Sequence, residues 1–341
     1  MKKVLLGMSG GLDSSYAALS LLDAGYSVEG AIVRMHAHTE MEEAKASAAS
    51  LGIPLRIIDA EKRFEDTVVQ DFCNAYRSGV TPNPCVLCNS SVKLACLYEE
   101  ALKDGFDYIA SGHYASVDRL ANGRYAVRAG KDSAKDQSYM LYRLPQHILE
   151  RLILPLGDRI KCEIREEARG RSLLAAEREE SQEICFVKGE SYTDFIERKT
   201  GAMPSGLFLD EEGRCLGNHK GILHYTVGQR KGLGVSASTR LFVRRIDAET
   251  NTVILSDSRV RANTFYMADP VFSGLSEEEC EGIDLALRVR YQAKPLGARL
   301  EKEGKRFLVR VIGSEASPAP GQSAVLYLGE HVVAGGIISF L

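Results

Sequence analysis

Hydrophobic positions in the first third of the chain fall into short runs separated by segments with a helical period. The runs are KVLLGM (3–8), VEGAIV (28–33), LRII (55–58) and DYIAS (107–111), and helical patterns lie at about 13–24, 40–51, 62–78 and 90–104. Strands that alternate with helices in this way predict a parallel sheet covered on both faces. A ligand of such a sheet is expected at the carboxyl ends of its strands.

The pattern of hydrophobic positions changes further along the chain. From about residue 134 to 200 it is mostly helical, with QHILERLI, KCEIREEARGRSLL and SYTDFIERKT as the clearest segments. After about residue 206, short alternating strands with hairpin signals predict one or two small β-barrels. We therefore predict an α/β protein with four segments. They are a parallel-sheet domain (1–133), a helical segment (134–204), a small β domain (205–262) and a C-terminal β-barrel (263–341).

Composition narrows the class of protein. The chain has 341 residues, of which 45% are hydrophobic and 26% charged, as in ordinary soluble globular proteins. No stretch approaches the ~18 apolar residues of a membrane span, and glycines break the apolar run at the start before a signal-peptide core is complete. We expect a cytoplasmic protein that does not enter a membrane. Its eight scattered cysteines are then expected to be mostly reduced thiols.

Charge gives one local signal. The net charge of −3 carries no overall signature of nucleic-acid binding, but residues 220–261 hold eight basic and three acidic side chains. This imbalance suits a phosphate backbone, and a solvated basic surface without a partner explains it equally well.

The segment SGGLDSS, residues 9–15, follows the first predicted strand and leads into a helix. Its glycines let backbone N–H groups approach an anion, its serines add donors, and a helix N-terminus favours negative charge. It lacks the spacing and the lysine of a Walker A motif. We call residues 7–15 the phosphate loop and expect them to hold a phosphate group; the alternative is a serine-capped helix after a glycine turn.

The segment TPNPCVLCNSS, residues 81–91, is called the cysteine segment below. A zinc site would need two more ligands at similar spacing, and the chain has no second C-x-x-C motif. A thioredoxin-like redox pair usually lacks the flanking Asn-Pro. We expect Asn89, Ser90 or Ser91 to cap the following helix, which would place Cys88 at a helix N-terminus, where the dipole lowers a thiol pKa.

A reactive cysteine at position 88 needs a partner. One candidate is Cys185, in ESQEICFV, about a hundred residues further on. It lies in an apolar stretch, so a structural role in a buried strand is the alternative.

Further motifs follow these in order: SGHY (111–114), KDQSYMLYRL (135–144), SQEICF (181–186), HYTVGQRKGLG (224–234), and PGQSAVLYLGE with AGGII near the end. SGGLDS after a strand resembles the PP-loop of ATP pyrophosphatases. The ordered set, along essentially the whole chain, resembles the tRNA-specific 2-thiouridylase family, MnmA. The resemblance implies a PP-loop domain of the adenine nucleotide α hydrolase type. It also implies ATP-dependent replacement of the 2-oxo group of the wobble uridine (position 34) of tRNA by sulfur.

The resemblance further implies roles for single residues. Cys185 would carry a persulfide, and Cys88 would be the nucleophile that helps to release its sulfur, leaving a Cys88–Cys185 disulfide to be reduced. The implied ATP-binding residues are Gly7, Met8, Ser9, Gly10, Gly11, Leu12, Asp13, Ser14, Val33 and Gly112. The implied target-base pocket and tRNA contacts are Asn83, Pro84, Cys85, His113, Lys135, Asp136, Gln137, Arg290, Tyr291 and Gln322.

Two features depart from the family pattern. Many members have aspartate where this chain has Cys85, and three thiols at 85, 88 and 185 suit a [4Fe–4S] cluster with one open iron, which is an alternative to the persulfide. After the second strand, members often carry a longer insertion with a tryptophan and acidic residues, whereas this chain has RMHAHTEMEEAK and no tryptophan. Any metal-binding acid in that corner is therefore in doubt.

The expected cofactor is ATP with Mg²⁺, and the expected partners are tRNA and a sulfur donor protein, either a cysteine desulfurase or a persulfide relay. Two rival functions stay open at this point. One is a PP-loop ligase acting on a small molecule, as argininosuccinate and GMP synthetases do. The other is a non-enzymatic nucleotide-binding sulfur carrier.

Overall fold

The computed structural model describes residues 1–177 and 184–340. Its strands are β1 (Lys3–Gly7), β2 (Ser27–Arg34), β3 (Leu55–Asp59), β4 (Tyr108–Ser111), β5 (Ala115–Arg119), β6 (Tyr125–Ala129), β7 (Leu152–Ile153), β8 (Gly206–Leu209), β9 (Cys215–His219), β10 (Phe242–Asp247), β11 (Thr252–Ser256), β12 (Thr264–Phe272), β13 (Leu285–Arg288), β14 (Leu296–Glu303), β15 (Arg306–Ile312), β16 (Ser323–Leu328) and β17 (His331–Ser339). Its α-helices are α1 (Leu12–Asp23), α2 (Met41–Ser50), α3 (Glu61–Phe64), α4 (Gln70–Arg77), α5 (Pro84–Cys88), α6 (Leu94–Lys103), α7 (Gln146–Leu149), α8 (Lys161–Gly170), α9 (Tyr192–Thr200) and α10 (Glu277–Cys280). Two π-helical turns, Glu65–Val69 and Asn89–Lys93, connect α3 to α4 and α5 to α6.

The N-terminal half is built on a parallel sheet with the strand order β3-β2-β1-β4-β7. The four strands predicted from the apolar runs are confirmed, and β1 lies between β2 and β4 in parallel register. The predicted helix QHILERLI is wrong in its second half. There, Leu152 and Ile153 form β7, because the backbone N–H of Ile109 bonds to the carbonyl of Arg151 at 2.9 Å and the chain continues alongside β4.

Helices cover both faces of this sheet, as the sequence predicted. Successive side chains of β1 point to opposite faces. Leu5 packs in a core with Leu94 and Leu97 of α6, whereas Val4 and Leu6 belong to a second core that includes residues of α1 and α8. Fully buried strands on both faces explain why the sequence shows continuous apolar runs there rather than alternation.

The C-terminal part is a β-barrel, as predicted. Its strands follow the order β12-β15-β14-β13-β16-β17, and β17 pairs again with β12, which closes the sheet. Side chains such as Phe265, Leu287 and Val309 fill the interior. The hairpin of β5 and β6 extends this sheet from β17, although its sequence lies in the first predicted segment. A smaller sheet, in the order β10-β11-β8-β9, precedes the barrel.

The barrel packs directly against the N-terminal half. The backbone N–H of Thr81 bonds to the carbonyl of Pro320 at 2.9 Å, and the hydroxyl of Tyr139 donates to the carbonyl of Ser323 at 2.9 Å. In the ranges that the structure describes, none of the helices combines the length and the apolar character needed to cross a membrane.

Candidate active site

A cavity of about 420 Å³ opens at the carboxyl ends of β1, β2 and β4, where the sequence placed the ligand of the sheet. Most of the predicted ATP-binding residues line it: Gly7, Met8, Ser9, Asp13, Ser14, Val33 and Gly112. Gly10, Gly11 and Leu12 continue the phosphate loop between Ser9 and Asp13; Gly11 is the N-cap of α1, and Leu12 is its first residue and is buried. The phosphate loop thus presents one end of the cavity.

Close packing of glycine backbone shapes the phosphate loop. Gly10 has φ +78°, and a β-carbon on it would lie 2.5 Å from the backbone nitrogen of Ala44. A β-carbon on Gly112 would lie 2.8 Å from the carbonyl carbon of Asp13. A side chain at either position would therefore push the loop out of place. Inside the loop, the backbone N–H of Ser9 donates to the hydroxyl of Ser14 at 3.2 Å.

The carboxylate of Asp13 in this loop has two partners. Nζ of Lys161, the first residue of α8, lies 2.6 Å from its Oδ1, and the hydroxyl of Tyr114 donates to the same oxygen at 2.7 Å. Lys161 is buried, with 8% of the residue exposed. The pair ties the first turn of α1 to α8, and it offsets a negative charge beside the place expected for phosphate.

The cysteine segment differs from the prediction in where its helix begins. Asn83 is the N-cap and Pro84 is at the start of α5, so the helical run starts before both cysteines, because proline at a first helical position needs no N–H partner. The predicted caps Asn89, Ser90 and Ser91 fall inside the π-helical turn instead. Cys88 is the last residue of α5 and is not at a helix N-terminus.

The predicted lowering of the Cys88 pKa is wrong in this structure for the same reason. Burial raises the pKa of the Cys88 thiol to about 12, and the charge of Lys93 opposes that rise only in part. Its sulfur lies 3.5 Å from the sulfur of Met35, in an apolar surrounding that disfavours a thiolate.

Cys185 and Cys85 are the neighbours of this buried thiol. Both add to the rise of the Cys88 pKa through their own charge, which places the three side chains within electrostatic reach of one another. Cys185 lines the cavity, and Cys85 and Cys185 are exposed where Cys88 is buried. All three are free thiols. Two segments about a hundred residues apart thus bring three thiols near one another, and one of these thiols, Cys185, lines the cavity that also holds the phosphate loop.

His113 and Gln137 also line the cavity. Nδ1 of His113 lies 2.7 Å from the hydroxyl of Ser111, and burial lowers the pKa of His113 to about 3, so the ring is neutral at physiological pH. The side-chain oxygen of Gln137 accepts the backbone N–H of Tyr114 at 2.9 Å. Both were predicted site residues, and both face the cavity.

Three family models match successive parts of the chain. They are described as the tRNA methyl transferase HUP domain (residues 2–189), the tRNA methyl transferase PRC-barrel domain (193–257) and the aminomethyltransferase beta-barrel domain (262–338). Curated relatives match almost end to end. A tRNA-specific 2-thiouridylase MnmA 3 of Bacteroides fragilis is 41% identical, covering 99% of this chain and 94% of the relative.

Two other relatives indicate the same family. The tRNA-specific 2-thiouridylase MnmA of Acetivibrio thermocellus is 40% identical, and that of Desulforudis audaxviator is 42% identical; each comparison covers 99% of both chains. The chain belongs to the MnmA family. The resemblance predicted from the ordered motifs is therefore confirmed.

Other positions singled out by the MnmA resemblance make contacts within the protein. Asp136 is buried, and its Oδ2 lies 2.5 Å from Nη1 of Arg288. The side-chain amide of Gln322 donates to the carbonyls of Thr81 (3.0 Å) and Pro82 (3.1 Å), at the start of the cysteine segment. These contacts leave the roles predicted for Asp136 and Gln322 in tRNA binding as predictions.

The remaining predicted contacts lie around the same part of the molecule. Nδ2 of Asn83 lies 3.6 Å from the sulfur of Met140. Tyr291 packs against Tyr139 with ring centroids 6.3 Å apart, and Arg290 is exposed, with Nη2 3.8 Å from the position of a β-carbon on Gly228. Lys135 is partly buried, with its backbone N–H on the carbonyl of Asp132. Ser181, Gln182 and Glu183 of the motif SQEICF lie outside the described residues.

The sequence reasoning missed several residues of the MnmA cavity. Its wall also includes Met35, His36, His38, Lys93 and Lys188. The two histidines and Met35 come from RMHAHTE, the short segment in which this chain departs from many members, and that departure was the signal available in the sequence. Nothing in the spacing around Lys93 marks it, and it lies at the end of a π-helical turn that the sequence did not predict.

The predicted iron-sulfur alternative requires side chains grouped as metal ligands. Within residues 1–177 and 184–340, no three His, Cys, Asp or Glu side chains are arranged so that they could hold a metal ion, and Cys85, Cys88 and Cys185 are included in that statement. The three cysteine ligands of a [4Fe–4S] cluster bind different irons, so this result for a metal ion leaves the cluster alternative as a prediction.

Proposed function

We propose that this chain is an ATP-dependent tRNA-uridine 2-sulfurtransferase that replaces the 2-oxo group of the wobble uridine by sulfur and forms AMP and pyrophosphate. The observation that carries the proposal is that one cavity is lined both by the phosphate loop and by Cys185. Its relatives, 40–42% identical, are named tRNA-specific 2-thiouridylases. A small-molecule ligase of the same superfamily has no need for thiols beside its nucleotide.

Activation of the base comes first. A carbonyl oxygen is a poor leaving group, so O2 of the uracil attacks the α-phosphorus of ATP. The bond from the α-phosphorus to the bridging oxygen breaks, pyrophosphate leaves with the electron pair, and the N3 proton passes to solvent. The backbone N–H groups and serines of the phosphate loop, with the N-terminus of α1, suit the departing pyrophosphate. A base that is to react must first leave the stack and enter the cavity.

Sulfur transfer follows. The terminal sulfur of a persulfide on Cys185 becomes bound to C2 and AMP leaves with its oxygen, while the Cys88 sulfur attacks the inner sulfur of Cys185. The products are 2-thiouridine and a Cys88–Cys185 disulfide, which an external thiol must reduce. Exposure of Cys185 suits loading by a sulfur donor protein, and burial of Cys88 keeps its thiol protonated until the partner arrives.

The cofactor of this reaction is ATP with Mg²⁺, which would neutralise charge on the pyrophosphate. We favour the persulfide route and assign Cys85 to the pocket of the target base; a [4Fe–4S] cluster on Cys85, Cys88 and Cys185 is the alternative. A cytoplasmic location and a desulfurase or relay protein as donor belong to the same proposal.

The test is nucleoside analysis by mass spectrometry. Unmodified tRNA is incubated with the protein, ATP, Mg²⁺ and a persulfide donor, and 2-thiouridine at position 34 is expected. Cys88→Ser should abolish the product. No 2-thiouridine with the wild-type protein, or undiminished product with Cys88→Ser, contradicts the proposal. Iron in anaerobically purified protein together with loss of activity in Cys85→Ala would favour the cluster.

A further inference from the structure

Lys93 is a cation of the cavity that neither the motifs nor the family resemblance singled out. It ends the π-helical turn that follows Cys88, and it lines the cavity together with Ser9 of the phosphate loop and Cys185. A π-helical turn displaces the following residues relative to an α-helix and is frequent at functional sites. Here the turn ends at Lys93, and Lys93 and the following Leu94 line the cavity.

Lys93 differs from the other charged groups around it. Asp13 is paired with Lys161 at 2.6 Å, and Lys188 is paired with Glu40 at 3.2 Å. Across residues 1–177 and 184–340, no carboxylate pairs with Lys93 and its ammonium group donates no hydrogen bond. A partly buried cation without a counter-ion is costly, and an anion bound in the cavity removes that cost.

The charge of Lys93 acts across the cavity. It lowers the pKa of the Cys185 thiol against the effect of burial, and it contributes to the lowered pKa of His113. Both side chains line the same cavity as Lys93, so Lys93 is a cation within electrostatic reach of the Cys185 thiol.

The reaction chemistry indicates which anion lies next to Lys93. The sulfur of Cys185 must reach C2 of the base, and C2 is bonded to the oxygen that the α-phosphorus carries. The α-phosphate therefore lies between the phosphate loop and the thiol, while the pyrophosphate lies over the loop itself. A cation on the thiol side thus faces the α-phosphate.

We propose that Lys93 is a catalytic residue that binds the α-phosphate of ATP, stabilises its charge while the adenylate forms, and holds the AMP phosphate as it leaves. This inference rests on the proposed function. The lysine supplies charge only, and it exchanges no atom with the substrate.

The first measurement is tRNA-dependent exchange of labelled pyrophosphate into ATP, which needs no thiol. Lys93→Met is expected to lower the exchange rate on the order of a hundred-fold, and Lys93→Arg to restore part of it. Lys103→Met is the matched control, because Lys103 ends the same helical run but is exposed and paired with Glu100. It should leave the rate unchanged.

A second measurement, equilibrium binding of AMP and of adenosine, keeps the test independent of turnover. Lys93→Met should weaken AMP binding about ten-fold and leave adenosine binding unchanged, since only AMP carries the phosphate. Thermal unfolding confirms that each variant is folded, and Lys93→Gln replaces Lys93→Met if the latter is not. Normal exchange in Lys93→Met with lost thiolation would overturn the inference and assign the lysine to the thiols. Absence of exchange in the wild type would instead refute the proposed function.

Discussion

The phosphate loop lines the cavity, the cysteine segment lies near the cavity residue Cys185, and the two regions are built in different ways. The phosphate loop is one run of nine consecutive residues, in which Gly10 fits only as a glycine because it packs against the backbone of Ala44. The cysteine segment depends on distant parts of the chain. The side-chain amide of Gln322 in the barrel donates to the carbonyl of Thr81, and Cys185 is the thiol near Cys88. One contiguous motif therefore supplies the nucleotide-binding residues, whereas segments far apart in the sequence supply the thiols.

The largest difference between the two regions should appear when the thiol is removed. Cys185→Ser leaves the phosphate loop intact but cannot carry a persulfide, so thiolation should fall on the order of a thousand-fold or more, while pyrophosphate exchange stays within about two-fold. Single-turnover thiolation and exchange are measured on the same preparation. Cys162→Ser, an exposed cysteine on α8, serves as control and should retain both activities. Equal loss of both activities in Cys185→Ser would contradict the separation.

The phosphate loop should be the more sensitive region for folding. Lys161→Met leaves the carboxylate of Asp13 without its cation, and we expect the free energy of unfolding to fall by about 2 kcal/mol, less than for a fully buried pair because 35% of the Asp13 side chain is exposed. Urea denaturation measures it. The double variant Asp13→Asn/Lys161→Met should recover part of the loss, because no charge is then left unpaired; a double variant no more stable than Lys161→Met would show that the loss has another cause.

Burial of His113 in the cavity wall should make the stability of the protein depend on pH. The pKa of His113 is lowered from its ordinary value of 6.5 to about 3, so stability contributed by the neutral ring is present above pH 6.5 and is lost as the pH falls toward 3. Between pH 6.5 and 5 the free energy of unfolding of the wild type should fall by about 1.5 kcal/mol more than that of His113→Gln. Denaturation of both proteins across that interval measures this difference. An equal fall in the free energy of unfolding of the two proteins would contradict the burial of a neutral His113.

The same contrast explains what the sequence could predict. Strands β1 to β4, α1 and the cavity at their carboxyl ends followed from periodicity and from one motif, because contiguous residues determine them. The start of α5 was misplaced because serine and asparagine caps were preferred over Pro84, and with it the environment of Cys88. Burial of that thiol and the approach of Lys93 depend on packing, which spacing alone does not contain. The division into four domains stays a prediction.

The smallest effect should come from the contact that joins the barrel to the cysteine segment. Gln322→Glu keeps the shape of the side chain but removes the N–H donors to Thr81 and Pro82 and places a carboxylate against two carbonyl oxygens. The segment that carries Asn83 and Cys85 should then be less well held, and kcat/KM for tRNA thiolation should fall about ten-fold with ATP affinity unchanged. Gln322→Met, which lacks the donors and the charge, should show a smaller loss. Steady-state thiolation with varied tRNA, and ATP binding by calorimetry, separate the two ends of the cavity. An equal loss of ATP affinity would mean that the barrel supports the phosphate loop as well, and the contrast between the two regions would fail.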